Sequence, residues 1–259
     1  MTVVMPPFIV AIPARYASTR LPGKPLRLIA GVPMIVHVVE RARSAGASEV
    51  IVATDDARIG TALATSDVRI VMTRSDHVSG SDRLAEAAEK LAWRDDAIIV
   101  NLQGDEPLAP VSGIRAVAEA LSGGDAPMAT LATPLASVDE LFDPHCVKVV
   151  CDGSGHALYF SRAPLPWPRD AFLRDRSVLP ARVPFLRHIG IYAYRAGFLR
   201  RFAALPSTPL EQTESLEQLR ALEHGFPVVV RSAPEPFPVG VDTDEDLARV
   251  ERILARIAP

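Results

Sequence analysis

Three cations surround one glycine near the start of this chain. Arg15, Arg20 and Lys24 stand in one short stretch, with Ser18, Thr19 and Gly23 among them. Arginine binds phosphate oxygens through a planar fork, and lysine supplies a movable point charge. The hydroxyls add donors, and the glycine lets backbone N–H groups come close. The combination suits a polyphosphate. A solvated basic turn is the competing reading, and the loop by itself leaves both open. The spacing is not that of a Walker A loop, because Lys24 is followed by Pro25 rather than Ser or Thr.

Carboxylates that could hold a metal on such a phosphate come later. Asp105 follows an apolar run in Gln103-Gly104-Asp105-Glu106-Pro107, and Asp242 stands just before Thr243. Mg²⁺ takes one or two carboxylates and fills its octahedron with water and substrate phosphates. Asp105 could equally be a turn residue, and Glu106, before a proline, reads as structural. The stretch 73–83 offers hydroxyls, two arginines and a helix start, a set able to read a nucleobase or ribose. His188 and Tyr192 are an even number apart in a strand-like run, so they share one face. Glu214, Glu217 and Gln218 fall close together at helical spacing. A polar pocket for a hydroxylated substrate can be built from these, with a solvated helix as the alternative.

The elements that must position these groups alternate. Apolar runs at 8–14, 49–54, 68–72 and 97–102 read as strands. Between them, Pro33 opens a helix at its first position, a short helix starts at Asp56, and Ser81 caps a helix running to about Trp93. This order predicts an α/β fold with a mostly parallel, doubly wound sheet. The cationic loop and Asp105 then fall beyond strand ends, where such sheets hold ligands. Further on, 146–151 and 157–161 read as a hairpin, 163–184 as irregular, and 188–194 and 228–231 as strands. Thr208-Pro209-Leu210-Glu211 starts a helix to about His224, and Thr243 caps the last one. With no linker or repeat, the expectation is one domain, 1–259, carrying a smaller inserted lobe at about 134–205.

Composition narrows the function. The 259 residues are 48% hydrophobic and 23% charged, with a net charge of −3. No broad basic surface for nucleic acid is implied, so anion binding must be local. Cys146 and Cys151 flank a strand-like run, beyond disulfide reach, and read as reduced thiols. No signal peptide and no apolar run of about 18 residues is seen, so the expectation is a cytoplasmic protein without membrane association. No G-x-G-x-x-G opens a helix, which disfavours a dinucleotide oxidoreductase.

The ordered set ARYASTRLPGKPL, PMIVHV, ATDD, SGSDR, NLQGDEP, VKVV, ALYFSRAPLPW, RHIGIYAYR, PLEQTESLEQLR and GVDTDEDL resembles the 3-deoxy-manno-octulosonate (Kdo) cytidylyltransferases, or CMP-Kdo synthetases. The resemblance spans about residues 8–255. It implies a fold of nucleotide-diphospho-sugar transferase type, Mg²⁺ dependence, a homodimer, and a place in lipopolysaccharide synthesis. The implied reaction joins CTP and Kdo into CMP-Kdo and pyrophosphate. By position, Arg15, Ser18, Arg20 and Lys24 would hold the triphosphate, and Thr73, Arg74, Gly80 and Ser81 the cytidine. Gln103 and Asp105 would sit at the reacting phosphate, with Asp105 and Asp242 on Mg²⁺. Arg162, His188, Tyr192, Glu217 and Gln218 would line the sugar-acid site. Lys24, Arg20, Asp105 and Asp242 would carry the catalysis. Two other readings stay open: a cytidylyltransferase for a related acid sugar, such as amino-Kdo or a sialic acid, and a non-catalytic nucleotide-binding regulatory protein.

Overall fold

The apolar run at 8–14 becomes a central strand. In the computed structural model, which describes residues 6–17 and 21–257, β1 (Phe8–Ala14) is buried along nearly its whole length. A short hairpin, β2 (Leu28–Ile29) and β3 (Val32–Pro33), follows. Then come α1 (Met34–Ser44), β4 (Glu49–Thr54), α2 (Ala57–Ala62), β5 (Arg69–Met72), α3 (Gly80–Lys90) and β6 (Ile98–Asn101). Strands β6, β1, β4 and β5 lie side by side and parallel. The later elements are α4 (Val111–Glu119), β7 (Met128–Pro134), α5 (Val138–Phe142), β8 (Lys148–Cys151), β9 (Ala157–Ser161) and α6 (Arg169–Phe172). They continue with β10 (Leu186–Arg195), α7 (Ala196–Ala204), α8 (Pro209–Glu214), α9 (Gln218–Glu223), β11 (Val228–Ser232) and α10 (Asp244–Ile257).

The main sheet has the order β11-β7-β10-β6-β1-β4-β5. Along this row β10 alone runs against its neighbours, so the row is mostly parallel, while β8 and β9 join beside β10 as antiparallel pairs. Its two faces carry separate apolar layers. Val10, Ile12, Val52 and Val100 pack with Ile35, Val39, Ile59 and Ile114 on one side. Ala11, Ile51, Ala53 and Ile99 pack with Leu84, Leu199, Phe202 and Leu219 on the other. The side-chain period of two along each strand produces this split, and both faces being covered explains the uninterrupted apolar runs.

This topology places the site. From β1 the chain steps outward to β4 and β5, then returns to β6 on the other side of β1. The loops leaving β1 and β6 therefore diverge and open a crevice between their carboxyl ends. The cationic loop follows β1, and Gln103 to Asp105 follow β6.

Several boundaries differ from the sequence reading. Pro33 ends β3 and is the N-cap of α1 rather than its first helical residue. Helix α3 is capped by Ser79, whose side chain accepts from the Asp82 N–H while Asp82 reaches back to Ser79. Ser81, expected to be the cap, lies inside the helix, because the box needs Asp82 three residues on. The helix expected over 209–224 is broken at Ser215, which has φ 52° and ψ 50°, leaving α8 and α9. The irregular stretch contains α6, and Phe172 packs there with Leu135, Leu141 and Phe185 in a small core of its own. Both cysteines are free thiols.

Candidate active site

Lys24 is the hub of the crevice. Gly23 takes φ 65°, a left-handed conformation that glycine adopts without strain, and starts a 3-10 turn over Lys24–Leu26. The Tyr16 ring lies over Gly23, where an added Cβ would meet it at 3.2 Å. Arg58 stacks on the same ring at 3.5 Å. From this braced turn, Lys24 Nζ donates to Asp105 Oδ2 at 2.5 Å, Asp242 Oδ1 at 2.9 Å and the Val241 carbonyl at 2.9 Å. Burial would lower the lysine's pKa, but the two carboxylates outweigh it and hold it above the ordinary value.

Asp242 reaches this point through backbone pairing. Val241 N–H donates to the Asp105 carbonyl at 2.9 Å, and a capping box between Thr243 and Asp246 fixes the turn into α10. Gly104 allows close approach on the other side. A Cβ there would stand 2.9 Å from the Pro13 carbonyl oxygen, so β1 and β6 could not end so near each other. Burial, reinforced by Asp105, pushes the neighbouring Glu106 carboxyl up to about 8.

Two cavities meet here. The first, about 270 Å³, is lined at one end by Arg15, Lys24, Asp105 and Asp242 and at the other by His77, Ser79, Gly80 and Arg83, with Gln103 between. Arg15 is exposed and Gly80 opens α3, so the positive end of that helix adds to the anion-binding character. The second, about 670 Å³, is lined by Glu106, Arg187, His188, Tyr192, Gln218 and Gly240 among others. Asp105–Glu106 and Gly240–Asp242 form the shared wall. Ser18 and Arg20 lie outside the described residues.

The nucleotide-side residues divide. Arg15, Lys24, Gly80, Gln103 and Asp105 line the first cavity, whereas Thr73, Arg74 and Ser81 do not. Arg83 stands in front of Thr73: its Nη1 donates to Thr73 Oγ1 at 2.5 Å and to the Arg74 carbonyl at 3.3 Å, and Nη2 to Asp55 Oδ2 at 3.0 Å. Arg74 turns outward toward Asp76. Ser81 is buried and donates to Glu217. His77, Ser79 and Arg83 take those places on the wall. Their signal in the sequence was the same polar stretch; the choice among its members needed the cap of α3.

The sugar-side residues divide as well. His188 and Tyr192 flank a bulge, the register with β7 shifting between Ile189 and Tyr192. They remain on one side, with ring centroids 5.4 Å apart. His188 Nε2 lies 3.0 Å from Thr130 Oγ1. That hydroxyl donates onward to backbone carbonyls, so the imidazole carries its proton on Nε2. Burial pushes His188 down to about 3 and Tyr192 well up. Gln218 Nε2 is buried without a partner among the described residues. Glu217 does not line the cavity and instead accepts from Ser81, burial pushing its carboxyl up. Arg162 does not line it either. Its guanidinium donates to the carbonyls of Glu214 at 2.7 Å, Pro144 at 2.9 Å and Ser215 at 3.4 Å, bracing the break between α8 and α9. Glu214 was expected to neighbour Glu217 and Gln218 on one helix. It faces away from them, accepting from Ser161 at 2.5 Å and the Arg162 N–H at 2.9 Å.

Comparison with known proteins identifies the family. Residues 9–232 match the family described as Cytidylyltransferase. A 3-deoxy-manno-octulosonate cytidylyltransferase of Stenotrophomonas maltophilia (strain R551-3) is 60% identical, over 98% of this chain and 99% of that one. The enzyme of the same description from Xanthomonas axonopodis pv. citri (strain 306) is 59% identical, over 96% of each. Among solved structures, a CMP:2-keto-3-deoxy-manno-octonic acid synthetase complexed with CTP superposes with a TM-score of 0.88 at 41% identity, covering 98% of this chain and 100% of that one. A cytidylyltransferase from Leptospira borgpetersenii serovar Hardjo-bovis, at 16% identity and a TM-score of 0.62 over 98% of this chain and 89% of that one, shares the fold. With identity at this level along nearly its full length, this chain belongs to the 3-deoxy-manno-octulosonate cytidylyltransferase family.

Proposed function

We propose that this protein transfers CMP from CTP to the anomeric hydroxyl of Kdo, releasing pyrophosphate. The observation that carries the reading is the shared wall: Asp105, Lys24 and Asp242 meet where a cavity with a cationic end adjoins a second, polar one. The triphosphate lies toward Arg15 and Lys24, and the base toward the start of α3. The sugar acid lies in the second cavity with His188, Tyr192 and Gln218. The bond from the sugar oxygen to the α-phosphorus forms as the bond to the pyrophosphate oxygen breaks. Such a transfer depends on positioning and charge neutralisation rather than on a covalent enzyme intermediate.

Asp105 and Asp242 fit Mg²⁺. Two carboxylates already converge on one cation, the Lys24 ammonium, and an oxygen-only set of this size suits an ion that keeps water and phosphate ligands. When bound there, Mg²⁺ would neutralise phosphate charge and favour ionisation of the attacking hydroxyl. With the carboxylates so engaged, the Lys24 ammonium would be available to offset charge on the leaving pyrophosphate. Gln103, bonded to Asn101 at 3.1 Å, orients at the wall between the two substrates. A homodimer, a cytoplasmic location and a role in lipopolysaccharide synthesis belong to the same proposal. No helix among the described residues is long and apolar enough to cross a membrane.

Pyrophosphate release with each of the four NTPs, with and without Kdo and Mg²⁺, tests the reading. Release is expected with CTP, Kdo and Mg²⁺ together. Equal turnover of ATP would overturn it, as would CTP binding without turnover, the result a regulatory protein would give.

A further inference from the structure

The large apolar layers cover the two faces of the main sheet. A smaller apolar cluster covers neither face. Leu21, Ile29, Met34, Val241 and Val250 form it, each no more than 1% exposed. No strand of the main sheet contributes a described residue to it. A satellite core of this kind adds little to the packing of the sheet. Its place in the chain points to another role.

The cluster borders all three charged groups of the shared wall. Leu21 stands three residues before Lys24, and Val241 immediately before Asp242. Leu108, packed against the cluster, stands three residues after Asp105. The backbone that carries each group therefore runs through the same small core. Helix α10 closes that core. Val250 supplies its buried centre, with Leu247 and Leu254 one turn to either side. The helix is also fastened to the segment that follows Lys24. Arg27 Nη2 donates to Asp244 Oδ1 at 2.5 Å, and Glu251 Oε1 accepts from the Ala30 N–H at 3.1 Å. None of the described residues of α10 lines either cavity.

Resting on the reading above, we infer that α10, through Val250, holds Lys24 and Asp242 in the positions relative to Asp105 that transfer requires. Val250 is a positioning residue and touches no substrate. Close-packed interiors pass a displacement on rather than absorbing it. Removing two methyl groups from Val250 leaves a cavity into which the surroundings settle only in part. The segments around that cavity are the ones that carry the charges. A misplacement of about 1 Å at a reacting centre costs on the order of 10²-fold in rate, even when its cause lies far from the chemistry.

The test compares Val250→Ala with Val228→Ala. Val228 is as fully buried, in the core on one face of the sheet. It pairs with Met128 at the start of β7, at the end of the sheet away from the crevice. Three quantities are read: Tm, kcat for pyrophosphate release with CTP, Kdo and Mg²⁺ saturating, and hydrogen exchange by segment. Both substitutions should lower Tm. Val250→Ala should lower kcat by about tenfold to a hundredfold, whereas Val228→Ala should leave it at the wild-type value. Val250→Ala should also speed exchange over 21–34 and 241–257 together, with β1 and β6 unchanged. Leu254→Ala, at the rim of the cluster, should give the same pattern in weaker form, and it covers the case in which Val250→Ala fails to fold. A fall in kcat no greater than that of Val228→Ala, or faster exchange in α10 alone, would overturn the inference. Exchange needs no turnover. A wild-type protein that releases no pyrophosphate would overturn the proposed function, while the coupling of α10 to the Lys24 segment would still stand or fall by exchange.

Discussion

Replacing Lys24 with methionine separates its two roles, because the side chain keeps its length and loses its charge. Nζ lies 2.5 Å from Asp105 and 2.9 Å from Asp242, with side-chain exposures of 15% for the lysine and 30% and 44% for the carboxylates. Exposed ion pairs contribute about 0–1 kcal/mol, and removing one partner of a buried pair costs about 3–5 kcal/mol. Solvent reaches both carboxylates, so the cost here should lie between, about 1–2 kcal/mol. For a chain of this size that lowers Tm by about 2–8 °C. The loss should appear in EDTA, where the two aspartates face each other without a counter-ion, and shrink in Mg²⁺. Turnover should fall by about 10²–10³, the usual effect of removing one preorganised charge at a reacting centre, and Mg²⁺ should not restore it. Melts in EDTA and in Mg²⁺, beside pyrophosphate release, read both quantities. A Tm that is unchanged in EDTA, or activity that recovers with Mg²⁺, would refute the reasoning.

Three further outcomes are expected. Asp105→Asn and Asp242→Asn should each remove most activity, and the double variant should be little worse than either, because they act as one unit; losses that multiply would show two independent roles. Gly104→Ala must push its Cβ away from the Pro13 carbonyl, 2.9 Å off, and should cost about 1–3 kcal/mol as well as activity; a normal melting curve would show that the strand ends yield freely. His188 is pushed down to about 3 by burial, from an ordinary value of 6.5. Below that ordinary value the unfolded chain takes up a proton that the folded protein refuses, so stability falls as pH drops from about 6.5 toward 3. His188→Gln should flatten the fall in Tm between those limits, and an unchanged slope would show that His188 is not held neutral.

Much of the fold was legible for one physical reason. Parallel strands buried on both faces read as continuous apolar runs, so β1, β4, β5 and β6 stood out, and the loops after β1 and β6 had to lie together. Strand β7 reads Met-Ala-Thr-Leu-Ala-Thr-Pro, with too little contrast to choose a period, and it escaped, as did α4 and α7. The break at Ser215 was hidden because serine carries no left-handed signal, and it moved Glu214 away from Gln218. At the site, Lys24, Asp105 and Asp242 were each readable as residues that suit phosphate or metal. That the lysine bridges carboxylates far away in sequence was not, since pairing of Val241 with Asp105 creates that contact. Thr73 and Arg74 were taken from the resemblance, and the helix cap was placed at Ser81 rather than Ser79. Once Ser79 caps α3, Arg83 turns inward over Thr73. Arg162, taken from the resemblance, sits against three carbonyls, two of them, of Glu214 and Ser215, at the same break.

The central claim is that one nucleotide and one acid sugar react across the wall formed by Asp105, Lys24 and Asp242. ³¹P NMR of the protein mixed with CTP, Kdo and Mg²⁺ tests it most directly. The account predicts that the three CTP resonances give way to one phosphodiester signal and one pyrophosphate signal of twice its intensity, and that Asp105→Asn, though folded, leaves CTP unchanged. Appearance of CDP with inorganic phosphate, or of the phosphodiester at the wild-type rate in Asp105→Asn, would contradict it.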